Sequence, residues 1–323
     1  MASVTRALLA CAFAVLLLPA LALASPAVSI FYYPWYGTPS RDGQYVHWSQ
    51  HGHTPPADIA SNYYPARGVY SSSDPAVIRS QMDDIKTAGI DEVVVSWWGR
   101  GLAEDKRLPA VIAAARRDKL SVAAHIEPYP GRSVASVVTD IGYLRTRGIS
   151  RFFVFQALDF PSADWAPAND SIQGVQVFAQ TALVGAAAAG HFDGVYTYDV
   201  LTYGGDKFAR LCKQAHTAHL LCLPSVGPGY DARRATGDTR VKPRRNGATY
   251  DSMWHAAIAA HPDGVTITSF NEWHEGTQIE SAGASGGNPY LSYEGAWALH
   301  GTAAANAYLT RTAYWASRFR AAR

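Results

Sequence analysis

GVTITSFNEWHEGTQIE occupies Gly264–Glu280. Its first part, Gly264–Thr268, reads as a buried, β-branched strand. The second, Ser269–Glu280, carries three carboxylates, a histidine, a tryptophan and an asparagine in twelve residues. An apolar strand running out into such a segment predicts a parallel sheet with reactive groups beyond its strand ends. Glu272 and Glu275 stand three apart, and on an extended strand such residues face opposite ways. Both reach one substrate only if the chain turns, at Trp273–His274 with help from Gly276. The competing use of either acid is an ion pair with an arginine.

The same pattern recurs upstream. AVSIFYYP, EVVVSWWG, SVAAHIEP, RFFVFQAL, GVYTYDV and LLCLPSVGPG also read as strands bounded by Gly or Pro. Helical segments separate them. DPAVIRSQMDDIKTAG starts with Asp74 as N-cap and Pro75 at N1, and stops at Gly89. LPAVIAAARRDK, SVASVVTDIGYLRTRG, QVFAQTALVGAAAAG, KFARLCKQAHTA and TYDSMWHAAIAA have the same character, and a last helix covers 303–322. Strand–helix alternation implies parallel strands and right-handed crossovers. Seven units and a terminal helix predict an α/β fold, a single (β/α)8 TIM-like barrel with long loops at the C-terminal face of its strands. The eighth strand is not evident; NPYLSY is a candidate. An open doubly wound sheet is the alternative, but FYYPWYG is no glycine-rich phosphate turn.

The chain has 323 residues, 48% hydrophobic and 17% charged, with a net charge of +2. That is globular composition without a basic footprint, and no nucleic-acid motif or partner is expected. Arg6 precedes an apolar run ending in an Ala-x-Ala site at Ala22–Ala24. Residues 1–24 are expected to be a cleaved secretory signal, leaving 25–323 as one secreted catalytic domain with no membrane attachment. An uncleaved anchor is the rival reading. The mature chain keeps Cys212 and Cys222, as a disulfide or as two buried thiols. HGH at His51–His53 sits in a polar loop, and no metal site or cofactor is expected.

The barrel reading makes a further demand: polar and aromatic residues should gather where strands end. Tyr32, Tyr33 and Trp35 end the first run; Trp97 and Trp98 the second; His125, Glu127 and Tyr129 the third. Tyr196, Tyr198 and Asp199 end the fifth, and Asn271, Glu272 and Glu275 the seventh. Singly, each has an ordinary structural explanation: packing for a Trp, a hydrogen-bonded core role for a His, an Arg132 pair for Glu127, a turn for Asn271. Together, aromatics beside carboxylates suit a sugar, whose C–H faces stack on rings and whose hydroxyls bind acids.

SFNEWHEGTQIE, FYYPWYG, GQYVHW, VVSWWG, HIEPYPGR, GHFDGVYTYD and PSVGPGYD resemble the motifs of glycoside hydrolase family 99, the endo-α-1,2-mannosidase and endo-α-1,2-mannanase family. The resemblance runs in order from about Ile30 to Glu280 and is most specific in NEWHEGTQIE. It implies a (β/α)8 barrel, retaining cleavage within a chain of α-mannosides and no metal. Glu272 then corresponds to the base acting on the sugar's 2-hydroxyl and Glu275 to the general acid/base at the glycosidic oxygen, with a 1,2-anhydro sugar between the two steps. Tyr33, Trp97, Trp98, His125 and Tyr198 match sugar-binding positions, with Glu127, Tyr129 and Asn271 as further candidates. The expected partner is α-mannan or another mannose-containing glycan, bound by a monomer. An endo-acting α-glycosidase of other specificity and a non-catalytic glycan-binding protein are the alternatives. One departure stands out. After GPGY the family often shows an Arg-Pro-Trp-Asn-like segment, whereas this chain has basic residues from Arg233 to Arg245 and no Trp. That cluster is either a solvated loop or an attractor of anionic glycan.

Overall fold

The computed structural model describes residues 28–283 and 290–323, so the expected leader lies outside the described residues. Strands β1 (Val28–Tyr32), β2 (Glu92–Trp97), β3 (Ser121–Ile126), β4 (Arg151–Val154), β5 (Gln176–Gln180) and β6 (Gly194–Tyr196) pair in order, all parallel. Every residue of β1, β2 and β4 is buried, as expected of strands covered on both faces. The seventh position is split. β7 (Leu221–Leu223) pairs with β6, and β8 (Ser225–Val226) resumes beyond Pro224. Pro224 has no N–H for the ladder, but its carbonyl still accepts from Thr266 at 3.1 Å. A two-stranded antiparallel hairpin follows, β9 (Tyr230–Asp231) with β10 (Val241–Lys242). The last strand, β11 (Val265–Ile267), pairs with both β8 and β1 and closes the barrel.

The eighth strand is therefore β5, within the segment read as one helix. Only Val184–Ala189 of that segment is helical. Val177, Phe178 and Ala179 are buried and bonded to β4 and β6, and this pairing overrides the helix preference of the alanine-rich tail. NPYLSY is not a barrel strand: Asn288 and Pro289 lie outside the described residues, and Leu291 makes an isolated bridge to Tyr63.

Helices follow the strands and cover them. Pro75–Thr87 starts as expected, with Asp74 Oδ1 accepting from Ala76 N–H at 2.8 Å. The last helix is broken at Asn306 into Gly301–Ala305 and Ala307–Ala321. Cys212 and Cys222 form a disulfide joining the helix Phe208–Thr217 to β7. Among the described residues no helix is long and apolar enough to cross a membrane. Inside the barrel, Phe153 contacts Phe178, Tyr196 and Phe31 at centroid distances of 4.9, 5.1 and 5.9 Å. The longest connections, after β1, β8 and β11, leave three neighbouring strands and rise side by side over one mouth.

Candidate active site

The segment after β11 leaves the barrel, reverses and returns. Ser269 N–H donates to Thr277 O, and Ile279 N–H to Ser269 O, both at 2.9 Å. The reversal spans Trp273–Gly276, where the sequence placed it. Gly276 has φ +62°, and a Cβ there would lie 3.0 Å from Asp231 O, so conformation and space both select glycine. The Tyr36 hydroxyl pins the turn, donating to Asn271 O and accepting from Trp273 N–H, each at 3.1 Å. Arg244 pins its far side. One guanidinium nitrogen donates to Gly276 O at 2.9 Å and Gln278 O at 2.7 Å, while the rings of Tyr63, Tyr293 and Tyr308 surround the charge within 5 Å.

Glu272 and Glu275 both come to the mouth, and among the described residues no arginine or lysine pairs with either. Burial, the charge of Glu275 and that of Glu127 raise the Glu272 carboxyl well above its usual range, against backbone N–H donors from His274 and Glu275. Its Oε1 accepts the His274 N–H at 3.0 Å. His274 Nε2 lies 2.6 Å from the His47 carbonyl. A carbonyl only accepts, so Nε2 carries the hydrogen and Nδ1, 3.5 Å from Glu272 Oε1, presents a lone pair. Burial holds His274 down at about 4, hence neutral at pH 7. Burial also pushes Glu275 up to about 7, with Asp199 and Glu127 adding repulsion. Tyr198 Oη donates to Glu275 Oε2 at 3.4 Å and is hydrogen-bonded to the Tyr33 hydroxyl.

Tyr33, Tyr198, His125 and Glu127 join these carboxylates in one network. His125 Nε2 is 2.9 Å from Tyr196 Oη, and its ring stacks on Tyr198 with centroids 5.3 Å apart. His125 Nδ1 lies 2.9 Å from Glu127 Oε1, within ion-pair range but not aligned as a hydrogen bond. Glu127 accepts from Ser96 Oγ at 2.7 Å, and Trp98 Nε1 donates to the same hydroxyl at 3.2 Å. Arg132 is not Glu127's partner; it donates to the carbonyls of Phe155 and Gln156.

Other candidates have structural duties. Trp97 is fully buried, its Nε1 donating to Asp105 Oδ1 at 3.1 Å, and packs the barrel wall instead of facing sugar. Asn271 is fully buried: its Oδ1 accepts from Tyr33 N–H at 2.8 Å and its Nδ2 donates to Tyr33 O at 3.0 Å. It aligns the ends of β1 and β11 and keeps no amide group for a ligand. The Tyr129 hydroxyl is committed to Ser136 and Asp140, leaving its ring for contact. Much of the basic cluster is engaged: Arg233, Arg234 and Arg240 pair with Asp231, Asp58 and Asp238, Lys242 donates to Val200 O, and Arg244 is the buried clamp, while Arg245 is exposed.

Several mouth residues were given no site role by the sequence reading, although Trp35 and Asp199 were seen at strand ends. Trp35, His47 and His274 form a ring cluster, with Trp35 and His47 stacked at 4.5 Å. Asp199, Tyr230, Arg240, Gln156 and Gln180 line a cavity of about 240 Å³ against Glu275. Gln156, just past β4, could have been found as a polar strand-end residue; Gln180 could not, because its strand was hidden. A larger cavity, about 820 Å³, lies at the opposite end among the strand starts Glu92, Ser121, Arg151 and Gln176. Its Arg116 and Arg320 lie in last helical turns, where cations complement the helix dipole. The smaller cavity is the one bordered by the reactive turn, through Glu275.

Known proteins agree with this geometry. The profile described as Glycosyl hydrolase family 99 matches residues 24–168 and 174–321. The chain is 34% identical to the glycoprotein endo-alpha-1,2-mannosidase-like protein of Danio rerio, over 90% of this chain and 78% of that one. It is 32% identical to the glycoprotein endo-alpha-1,2-mannosidase of Xenopus laevis, over 78% and 69% respectively. The solved GH99 endo-alpha-mannosidase from Bacteroides thetaiotaomicron superposes with a TM-score of 0.82 at 32% identity, over 92% of this chain and 98% of that one. The chain, a barrel whose last strand runs into a turn bearing Glu272 and Glu275 and which is matched along nearly its whole length, belongs to glycosyl hydrolase family 99 and is a glycoside hydrolase.

Proposed function

We propose that this protein is a secreted, retaining endo-α-mannosidase that cleaves internal α-1,2 linkages of mannan or N-glycan-type chains. The observation that carries the reading is the pair itself: a buried Glu272 and a half-buried Glu275 on one turn, unpaired with arginine or lysine and unequally supplied with donors. Repulsion keeps one proton on the pair. Backbone N–H groups favour the charge on Glu272, whereas Glu275 has a single long hydrogen bond from Tyr198. Burial raises Glu272 more strongly than Glu275 and by itself would leave the proton on Glu272; on the hydrogen bonds, which a 2-hydroxyl donating to Glu272 would reinforce, we assign the anion to Glu272 and the proton to Glu275.

In an α-mannoside the leaving group on C1 and the hydroxyl on C2 are both axial and anti. Glu272 takes the 2-hydroxyl proton as O2 attacks C1, Glu275 gives its proton to the departing glycosidic oxygen, and a 1,2-anhydro sugar forms. Glu275, now anionic, then takes a proton from the water that attacks C1, while Glu272 returns its proton to O2. Two inversions give net retention. An α-glucoside has its 2-hydroxyl on the wrong face, so the scheme selects mannose. Tyr33 and Tyr198 stay protonated, because burial raises both, and so can donate to sugar oxygens.

Incubation with yeast α-mannan should release new reducing ends with the α configuration seen first by NMR. Binding without release would instead mark a glycan-binding protein. A covalent sugar trapped on either glutamate and found by mass spectrometry would return the site to the usual two-carboxylate scheme. The disulfide supports export to an oxidising compartment. N-terminal sequencing of the exported protein should begin near Ser25.

A further inference from the structure

We infer that Ser225 and Thr268 are positioning residues for the acid, acting on Glu275 through Tyr198. This deepens the proposed function and rests on Glu275 being the acid. Tyr198, just past β6, has φ +53°, a left-handed backbone that bulky residues rarely adopt. Asp199 N–H folds back onto Thr197 O at 2.6 Å, so Tyr198 stands at the centre of a three-residue turn. Two side-chain hydroxyls hold its backbone there. Ser225 Oγ, on β8, accepts Tyr198 N–H at 2.7 Å. Thr268 Oγ1, just past β11, donates to Tyr198 O at 2.9 Å.

These two hydroxyls belong to a set of four. Thr197 Oγ1 accepts Ser225 N–H at 2.9 Å, and Ser225 Oγ lies 2.7 Å from Thr266 Oγ1. All four residues are at most 1% exposed, in a wall where apolar side chains would otherwise pack. The conformation they hold aims the phenol at the acid. Tyr198 Oη donates to Glu275 Oε2 at 3.4 Å, backed by the Tyr33 hydroxyl. A donor to a carboxylate favours its charged form, so this bond opposes the rise that burial imposes on Glu275. Without the hydroxyls the Tyr198 backbone is free to relax toward negative φ, which swings the phenol off the carboxylate. Glu275 is also faced by Glu272, Glu127, Asp199 and Asp238, by Arg240 in the cavity wall, and by the Tyr33 and Tyr230 phenols. Lys242 acts on Asp199, and β9 adds the Asp231–Arg233 pair. Among the described residues only Tyr198, of all these groups, is hydrogen-bonded to the Ser225 or Thr268 hydroxyl.

The test is the pH dependence of kcat/KM on an α-1,2-linked mannan oligosaccharide. The alkaline limb, set by Glu275 at about 7, should move up by roughly half a pH unit or more in Ser225→Ala and in Thr268→Val, because each loosens the donor that favours the anion. Tyr198→Phe should move it the same way, and Thr268→Ser, which keeps the hydroxyl, should leave it at the wild-type position. The double variant of Ser225→Ala with Tyr198→Phe should show the limb of Tyr198→Phe alone, since no phenol is left to aim. A hydroxyl that only stitched β6 to β8 would lower Tm and leave the limb in place. An unmoved limb in Ser225→Ala and Thr268→Val therefore overturns the inference, and so do shifts that add in the double variant. If Ser225→Ala does not fold, Thr268→Val carries the same test, alone and combined with Tyr198→Phe. Carbon-NMR titration of the Glu275 carboxyl, identified by its loss in Glu275→Gln, follows the same shift without turnover, so a protein that cleaves no mannoside still decides the inference. Glu275→Gln separates the two levels. A limb that persists in its residual activity ends the acid assignment and the inference with it; a limb lost there but fixed in the hydroxyl variants ends the inference alone.

Discussion

Glu280 and the pair Glu272–Glu275 belong to the same twelve residues and meet opposite surroundings. Glu280 is fully buried, yet its oxygens accept from Gln81, Tyr70 and Trp273 at 2.8 to 3.0 Å, and Arg67 Nε lies 2.8 Å away. Every lone pair has a donor and the charge has a cation. Glu272 and Glu275 have fewer donors than lone pairs and no arginine or lysine among the described residues, and repel each other besides. The comparison teaches that position after a barrel strand does not make a carboxylate reactive. Withholding a cation does. Glu280 holds the base of the loop still while the pair at its tip is kept in want of a proton.

Four experiments separate the two regions. The largest effect belongs to Glu272→Gln, which should lower turnover by about 10⁴, the upper range for a lost general base, while glycan binding stays within a few-fold. Single-turnover hydrolysis beside calorimetry checks it, and a mannoside that is 2-deoxy or 2-fluoro at the cleaved residue should likewise bind and not react. Next is Glu280→Gln, which takes one of half-buried Arg67's two carboxylate partners, Asp84 remaining at 2.7 Å, and turns an amide N–H toward the donors of Gln81, Tyr70 and Trp273; it should cost about 3 kcal/mol of stability in a urea melt. If Glu280→Gln melted like wild type, the contrast would be wrong.

Glu275→Gln should fall by roughly 10²–10³ on natural glycans but only about tenfold on a substrate with a good leaving group, which needs no proton from the enzyme. The same assignment fixes a pH limb. Glu275 must hold its proton in the first step, so kcat/KM should decline as pH rises through about 7. In Glu275→Gln that limb should vanish. The smallest effect is Gly276→Ala, which strains the positive-φ turn and crowds Asp231 O, for about 1–3 kcal/mol. It should reduce activity more than Tm, because the distortion falls directly beside Glu275.

Seven barrel strands were legible because each is a short β-branched or aromatic run closed by Gly or Pro. β5 was not, because its five residues lead almost directly into TALVGAAAA and only pairing on both sides defines it. The pair at the turn was legible from spacing: residues three apart cannot share a face unless the chain bends. What the sequence could not rank was the remaining polar residues. Asn271 and Trp98 look alike as strand-end candidates, but one is consumed by the backbone of Tyr33 and the other is half-buried at the mouth. Such partners are tens to hundreds of residues apart, so no local pattern announces them.

The arginine held by Tyr63, Tyr293 and Tyr308 ties the reactive turn to two residues beyond the last barrel strand. None of those rings borders the cavity beside Glu275. A chain shortened to end before Tyr293 would keep the barrel strands and both glutamates, yet lose two walls of the socket that steadies them. The tail works as a guy-rope: slackened, it leaves the mast standing but no longer pointing where it must.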